Sequence, residues 1–134
     1  MTTYGLDTNV VVRLLTNDNP QQRKAALAFA DGLGRDYTAF ISLISLLELD
    51  WALRSKLGFG RKDVVAAIRK LLQSRGLVLE HHNLVIEALR LVSTENADFA
   101  DALIASRSRQ EGCLSTKTFD KKAASRIPGM ELLA

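Results

Sequence analysis

Tyr4-Gly5-Leu6-Asp7-Thr8-Asn9 is a short run with an apolar centre, ending in a carboxylate just before the pattern turns helical at Val10. A strand of this length, followed at once by the apolar-rich Val10 to Leu15, reads as the first β-α step of an open parallel sheet. Ligands of such sheets bind beyond the carboxyl ends of the strands, so Asp7 stands where a site would form. Aspartate also caps helices, so Asp7 alone does not decide between a structural and a chemical role.

Working outward, Thr16 to Pro20 is dense in turn formers, and Pro20 suits the first turn of a helix over Gln21 to Leu33, closed by Gly32 or Gly34. Ala39-Phe40-Ile41-Ser42 reads as a second strand, flowing into a helix from Leu43 to Leu57 that carries Glu48 among Leu46, Leu47, Leu49 and Trp51. A carboxylate on so apolar a segment needs a partner or a metal, because burying an unpaired charge costs several kcal/mol or neutralises the group. After Gly58-Phe59-Gly60, the stretch Arg61 to Ser74 resumes the helical spacing and completes a helical hairpin. Its outer face carries Arg54, Lys56, Arg61, Lys62, Arg69, Lys70 and Arg75, which serve either as a solvated surface or as a rim that tracks phosphates. Leu77 to Glu80 is a third strand candidate, and His81 and His82 after it read as turn residues with no further partners for a zinc site.

Leu84 to Val92 is amphipathic, and a helix opening near Ala97 runs to about Gln110 and ends at Gly112. Asp98 and Asp101 are three apart at its start and share a face; Asp98 suits a cap, whereas Asp101 precedes an apolar stretch and belongs at the edge of the core. Cys113 to Thr116 is a fourth strand candidate, Lys117 to Lys122 leads into a short helix, and Met130 to Leu133 adds a weak edge strand.

With 134 residues, 47% of them hydrophobic, the chain is sized for one domain. Its longest apolar runs fall far short of the roughly 20 residues of a membrane span. The N-terminus lacks a secretory leader pattern, and the single Cys113 cannot form an internal disulfide; both fit a reducing cytoplasm. A net charge of +3 permits a nucleic-acid partner without requiring one.

Asp7, Glu48, Asp101 and Asp120 can be brought together, because two follow strands and two lie early on helices beside strand ends. Four carboxylates close together repel without a cation, and Mg²⁺ or Mn²⁺ is the natural occupant of such an oxygen-rich site. A metal held there activates water for attack on a phosphodiester without any His or Cys nucleophile.

Leu6-Asp7-Thr8-Asn9, the segment from Ile41 to Leu49, the segment from Ala97 to Ala105 and Thr118-Phe119-Asp120-Lys121-Lys122 together resemble the PIN-domain ribonucleases, especially the VapC toxins of type II toxin-antitoxin pairs. The resemblance spans the chain and implies a single PIN-like domain over residues 1–134, an α/β chain with a three-layer α/β/α fold and a central parallel sheet. It maps Asp7, Glu48, Asp101 and Asp120 onto catalytic, metal-binding acids, with Asn9, Ser42, Ser45 and Thr118 in hydrogen-bonding support; Asp98, in the same motif, is assigned a supporting or capping role, and the clustering of Arg61, Lys62, Arg69 and Lys70 on the hairpin makes them the expected RNA-guiding cations. It also implies Mg²⁺ or Mn²⁺ dependence, endonucleolytic cleavage of RNA, a homodimer and a cognate antitoxin protein. Two other readings compete. Phosphoryl-aspartate enzymes would want a second acid where Asn9 stands, and an inactive PIN-like module that binds RNA or protein would have no reason to keep four acids together.

Overall fold

The computed structural model describes Met1–Ala134 as two compact units, Met1–Glu80 and His81–Ala134. In the first, the elements run β1 (Thr2–Gly5), α1 (Thr8–Leu15), α2 (Pro20–Ala30), β2 (Tyr37–Ile41), α3 (Leu43–Ser55), α4 (Arg61–Gln73) and β3 (Leu77–Leu79). The strands form a parallel sheet in the order β1-β2-β3. Thr2 stands opposite Tyr37 and Gly5 opposite Phe40, while Ala39 faces Leu77 and Ile41 faces Leu79. Because all three strands point the same way, the residues that follow them emerge along one edge, and these include Asp7, Ser42 and Glu80. Central β2 buries Ala39 and Ile41 completely, and α3 buries Leu46, Leu49 and Leu53, whose spacing of three and four places them on one face. Each such leucine contributes about 2 kcal/mol by leaving water. From α4, Val64, Ile68 and Leu71 are buried in the same periodic manner.

The second unit contains α5 (His82–Glu95), α6 (Phe99–Gln110), β4 (Thr116–Thr118), α7 (Lys121–Arg126) and β5 (Met130–Leu132). α5 and α6 pack together, and Asn96, in the left-handed conformation at φ 55°, reverses the chain between them. β4 and β5 pair in parallel from Thr116 opposite Met130 to Thr118 opposite Leu132, joined by α7. All observed pairing is parallel, as the α/β expectation requires. The hydrogen-bonded strands form a set of three and a set of two.

Several boundaries differ from those read in the sequence, each for a local reason. β1 ends at Gly5, and the first helix starts at Thr8 instead of Val10, because the Asp7 side chain accepts the Val10 N–H at 3.1 Å and draws Thr8 and Asn9 into the first turn. β2 begins two residues early at Tyr37, whose hydroxyl donates to the Phe29 carbonyl at 2.6 Å. The fourth strand starts at Thr116, three residues beyond the expected start, because the end of α6 uses the intervening chain. Gly112 takes φ 88° and the Cys113 N–H donates back to the Ser108 carbonyl at 3.1 Å. Cys113 is exposed and free.

Glu48 is not the buried acid of α3. It is exposed, and the carboxylate that lies in the core is Asp50, 3% exposed. Asp50 is met one turn later by Arg54, whose Nε and Nη2 donate to its two oxygens at 3.0 and 2.9 Å. Arg54 therefore neutralises a core charge and is not part of a basic rim. Arg54→Met keeps the length of the stem but removes this bidentate partner, and it should lower stability by about 3 kcal/mol. Denaturant midpoints of the two proteins measure this; a midpoint unchanged within error would mean the pair is dispensable.

Candidate acidic active site

In the first unit the acids are set by helix starts. Asp7 caps α1, and the next residue, Thr8, donates its hydroxyl to Glu48 Oε1 at 2.7 Å. This bond draws the exposed carboxylate of α3 to the turn that carries Asp7. A carboxylate has about four acceptor positions, so one cap bond to Asp7 and one hydroxyl to Glu48 leave both with oxygen lone pairs for a cation. Ser42 starts α3: its oxygen accepts the Ser45 N–H at 3.1 Å and its hydroxyl donates to Ser45 Oγ at 3.2 Å. Ser42 and the nearly buried Ser45 thus fix the helix that presents Glu48. Asn9 lines the same cavity as Asp7. Two residues here were not singled out in the sequence. Glu80 follows β3 and accepts the Leu43 N–H at 2.8 Å, adding a second clamp on the start of α3, and Thr8 orients Glu48. Glu80 carries a signal that a reader could have used, since it is an acid directly after a parallel strand, as Asp7 nearly is. A lone threonine such as Thr8 carries none.

In the second unit Asp98 caps α6 by accepting the Asp101 N–H at 3.0 Å, which settles its capping role. Asp120 caps α7 by accepting from the N–H groups of Lys122 and Ala123 at 2.9 and 3.0 Å, while its own N–H donates to Thr118 Oγ1 at 3.0 Å. Asp98, Asp101 and Asp120 therefore gather within this unit. Burial is the main cause that raises the Asp101 carboxyl above its ordinary value, followed by the negative charges of Asp98 and Asp120. Asp101 occupies the first turn of α6, where the helix partial charge favours an acid by about 0.3–1 kcal/mol.

No three His, Cys, Asp or Glu side chains are grouped as a ready cage for a metal ion. The donor set still fits a hard divalent ion. It consists of carboxylate oxygens without thiolate or imidazole, and one of them carries the uncompensated anionic repulsion that a cation would relieve. Among the expected RNA-guiding residues, Lys62, Arg69 and Lys70 are exposed and Arg61 is half-buried. Two other basic residues of that face are engaged locally: Lys56 lies over the Trp51 ring at 5.4 Å from its centroid, and Arg75 donates to the Gly34 carbonyl at 3.0 Å. His81 and His82 are exposed at the start of α5.

A helix-rich α/β chain with parallel strands, acids at its strand ends and helix starts, and no helix long and apolar enough to cross a membrane defines a class before it defines a member. The PIN domain family model matches residues 4–129, and the chain belongs to that family. No curated protein matches it. Among solved structures, it is similar to Mycobacterium tuberculosis VapC20, a sarcin-ricin loop cleaving toxin, at 16% identity and a TM-score of 0.43, covering 94% of this chain and 96% of that one. It is similar to VapBC2 from Rickettsia felis, bound to a DNA fragment from its promoter, at 21% identity and a TM-score of 0.39 over 98% and 97% of the two chains. A toxin-antitoxin complex from Klebsiella pneumoniae gives 18% identity and a TM-score of 0.34 over 98% and 96%. These superpositions are loose, and family membership rests on the domain match.

The raised Asp101 carboxyl has a pH signature. A group held above its unfolded value favours folding while protonated, and the benefit is lost as pH rises through the folded value. Without added metal at pH 7, Asp101→Asn should therefore melt above the parent. The gain should stay under about 1 kcal/mol because solvent screens a half-exposed group. The gap should close as pH falls through the raised folded value and be gone once the unfolded carboxyl is protonated as well. Thermal melts of both proteins in chelator across this range decide the matter; a variant less stable than the parent at neutral pH would make Asp101 a structural acceptor.

Proposed function

We propose that the protein is a Mg²⁺- or Mn²⁺-dependent endoribonuclease that acts in the cytoplasm as the toxin of a toxin-antitoxin pair. The observation that carries this reading is the Thr8–Glu48 hydrogen bond, which draws an exposed acid from mid-helix to the turn bearing Asp7 in a chain of the PIN-domain family. Asp7 and Glu48 of the first unit, with Asp101 and Asp120 of the second, are the proposed metal-binding acids. A cation bound by such oxygens lowers the pKa of a water ligand and offsets charge on the phosphodiester. The chain's own part is to hold the donors. Thr8 restrains Glu48, Ser42 and Ser45 fix the start of α3, Thr118 restrains the turn of Asp120, and Asp98 sets the start of α6 and hence the place of Asp101. Arg61, Lys62, Arg69 and Lys70 are proposed to guide the RNA backbone. The same reading assigns a homodimer and a small antitoxin whose basic side chain competes for the acids; purification from the native host without any small companion would count against the antitoxin.

The deciding experiment is cleavage of RNA by the purified protein with Mg²⁺ or Mn²⁺ and in excess EDTA. Asp7→Asn and Glu48→Gln each remove a charged ligand at nearly constant shape. Groups that only orient a metal ligand are worth about 10–100-fold, so losing a ligand itself should cost more than about a hundredfold. Cleavage undiminished in EDTA sinks the proposal. Saturating Mn²⁺ should also raise the Tm of the parent more than that of Asp101→Asn.

The guiding role has its own readout. Each phosphate contact to a single strand contributes about 0.7 to the slope of log affinity against log salt. Replacing Arg61, Lys62, Arg69 and Lys70 by Gln together should reduce that slope by up to about 3. An unchanged slope would make this face a plain solvated surface.

A further inference from the structure

The cavity beside Asp7 has a wall that metal binding does not use. It has a volume of about 540 Å³, and its lining includes Tyr4, Phe29, Arg13, Gln22 and Asn9 as well as Asp7. Tyr4 is 49% exposed, yet its ring is fixed. It meets Phe29 edge-on at 6.1 Å and 72° and Tyr37 at 5.5 Å and 79°. Those two rings stack at 4.9 Å, and the Tyr37 hydroxyl is tied to the Phe29 carbonyl. An aromatic face immobilised in this way loses little further freedom when a planar ligand is laid on it.

The polar groups of the lining are also ordered. Arg13 donates from Nε to Gln22 Oε1 at 2.8 Å and from Nη1 to Asp18 at 3.0 Å. The arginine charge is thus answered within the chain, and the oxygen of the Gln22 amide is engaged, which leaves its NH₂ group as the donor. Asn9 adds a second amide next to Asp7. An apolar side chain placed in the cavity would cover these amides without bonding them, an unfavourable burial. A nucleobase has both a π-face and hydrogen-bonding edges, and the volume lies in the range of small-ligand sites.

We infer that this cavity is a nucleobase subsite. Resting on the nuclease reading above, it takes the unstacked base of a single-stranded RNA nucleotide next to the phosphate at Asp7, stacks it on Tyr4 and reads its edge with the amides of Gln22 and Asn9. The site makes cleavage depend on the base at one position.

The test uses the full chain in EDTA, so that nothing is cut, with two fluorescent probes: a short single-stranded oligoribonucleotide and a ribose-phosphate oligomer of equal length without bases. The parent should bind the first about tenfold more tightly than the second, the scale of one stacked base. Tyr4→Ala should shrink that ratio to within about twofold, whereas Tyr4→Phe should keep it. Tyr4→Leu, which fills space without a π-system, should behave as the alanine variant does, and melts confirm that each is folded. A ratio unchanged in Tyr4→Ala, or an equal loss for both probes, overturns the proposal. So does tighter competition for the cavity by a short amphipathic peptide than by RNA. Cleavage separates this proposal from the reading beneath it. Chelator-sensitive cleavage with a base preference unaltered in Tyr4→Ala refutes the subsite alone. Base-dependent binding that Tyr4→Ala abolishes, in a protein that cuts no RNA, upholds the subsite and refutes the nuclease.

Discussion

The first N–H groups of a helix have no partner inside it, and four helices of this chain obtain one from a side chain that the proposed site also uses. Asp7 caps α1, Ser42 caps α3, Asp98 caps α6 and Asp120 caps α7. Each cap is worth about 1 kcal/mol, so the structural and the chemical roles of these residues are not rivals. A carboxylate that caps with one oxygen is aimed by the helix and keeps acceptor capacity for something else. Asparagine retains much of the cap while deleting the charge. Alanine deletes both, and would confuse loss of chemistry with loss of the helix start.

This double duty explains what could be read from the sequence. Helix bodies announce themselves by apolar spacing, and α3, α4 and the body of α6 lie nearly where that spacing puts them. Helix starts depend on which side chain captures a free N–H. The Asp7 cap therefore moved the first helix forward by two residues, although Leu6 suggested a longer strand. Gly112 marked the end of α6 in the sequence, but not that the turn there extends through Cys113, whose N–H bonds back to the Ser108 carbonyl and so delays the fourth strand. The acids themselves stood out because each interrupts an apolar context or follows a strand. Thr8 and Tyr4 did not, because a hydroxyl or an aromatic ring near a terminus looks ordinary until its partners are placed.

Basic residues show the same limit. Seven cations on the hairpin look alike in sequence, but their partners divide them. Arg54 is committed to Asp50, Arg75 to a backbone carbonyl and Lys56 to an aromatic face, while Lys62, Arg69 and Lys70 extend into solvent. Residues 69 and 70 border a cavity of about 590 Å³ together with Phe59 and Asp63. A count of charges would have overstated the surface field, since a cation already paired releases few counterions when a phosphate arrives.

The two acids of α3 show how local environment decides availability. Asp50 and Glu48 lie two residues apart, and two residues on a helix is about 200°, so they face nearly opposite sides. The core side took Asp50, and there an ionised carboxylate persists only with a cation at hand, which Arg54 supplies in bidentate form. The solvent side took Glu48, which receives a neutral hydroxyl from Thr8. A hydroxyl donor orients a carboxylate without cancelling its charge. An arginine at the same place would have given a stronger bond and used up the anion. The helix thus spends its cation on the acid that cannot live without one and leaves the other oriented and still negative, the condition a ligand for a divalent ion has to meet.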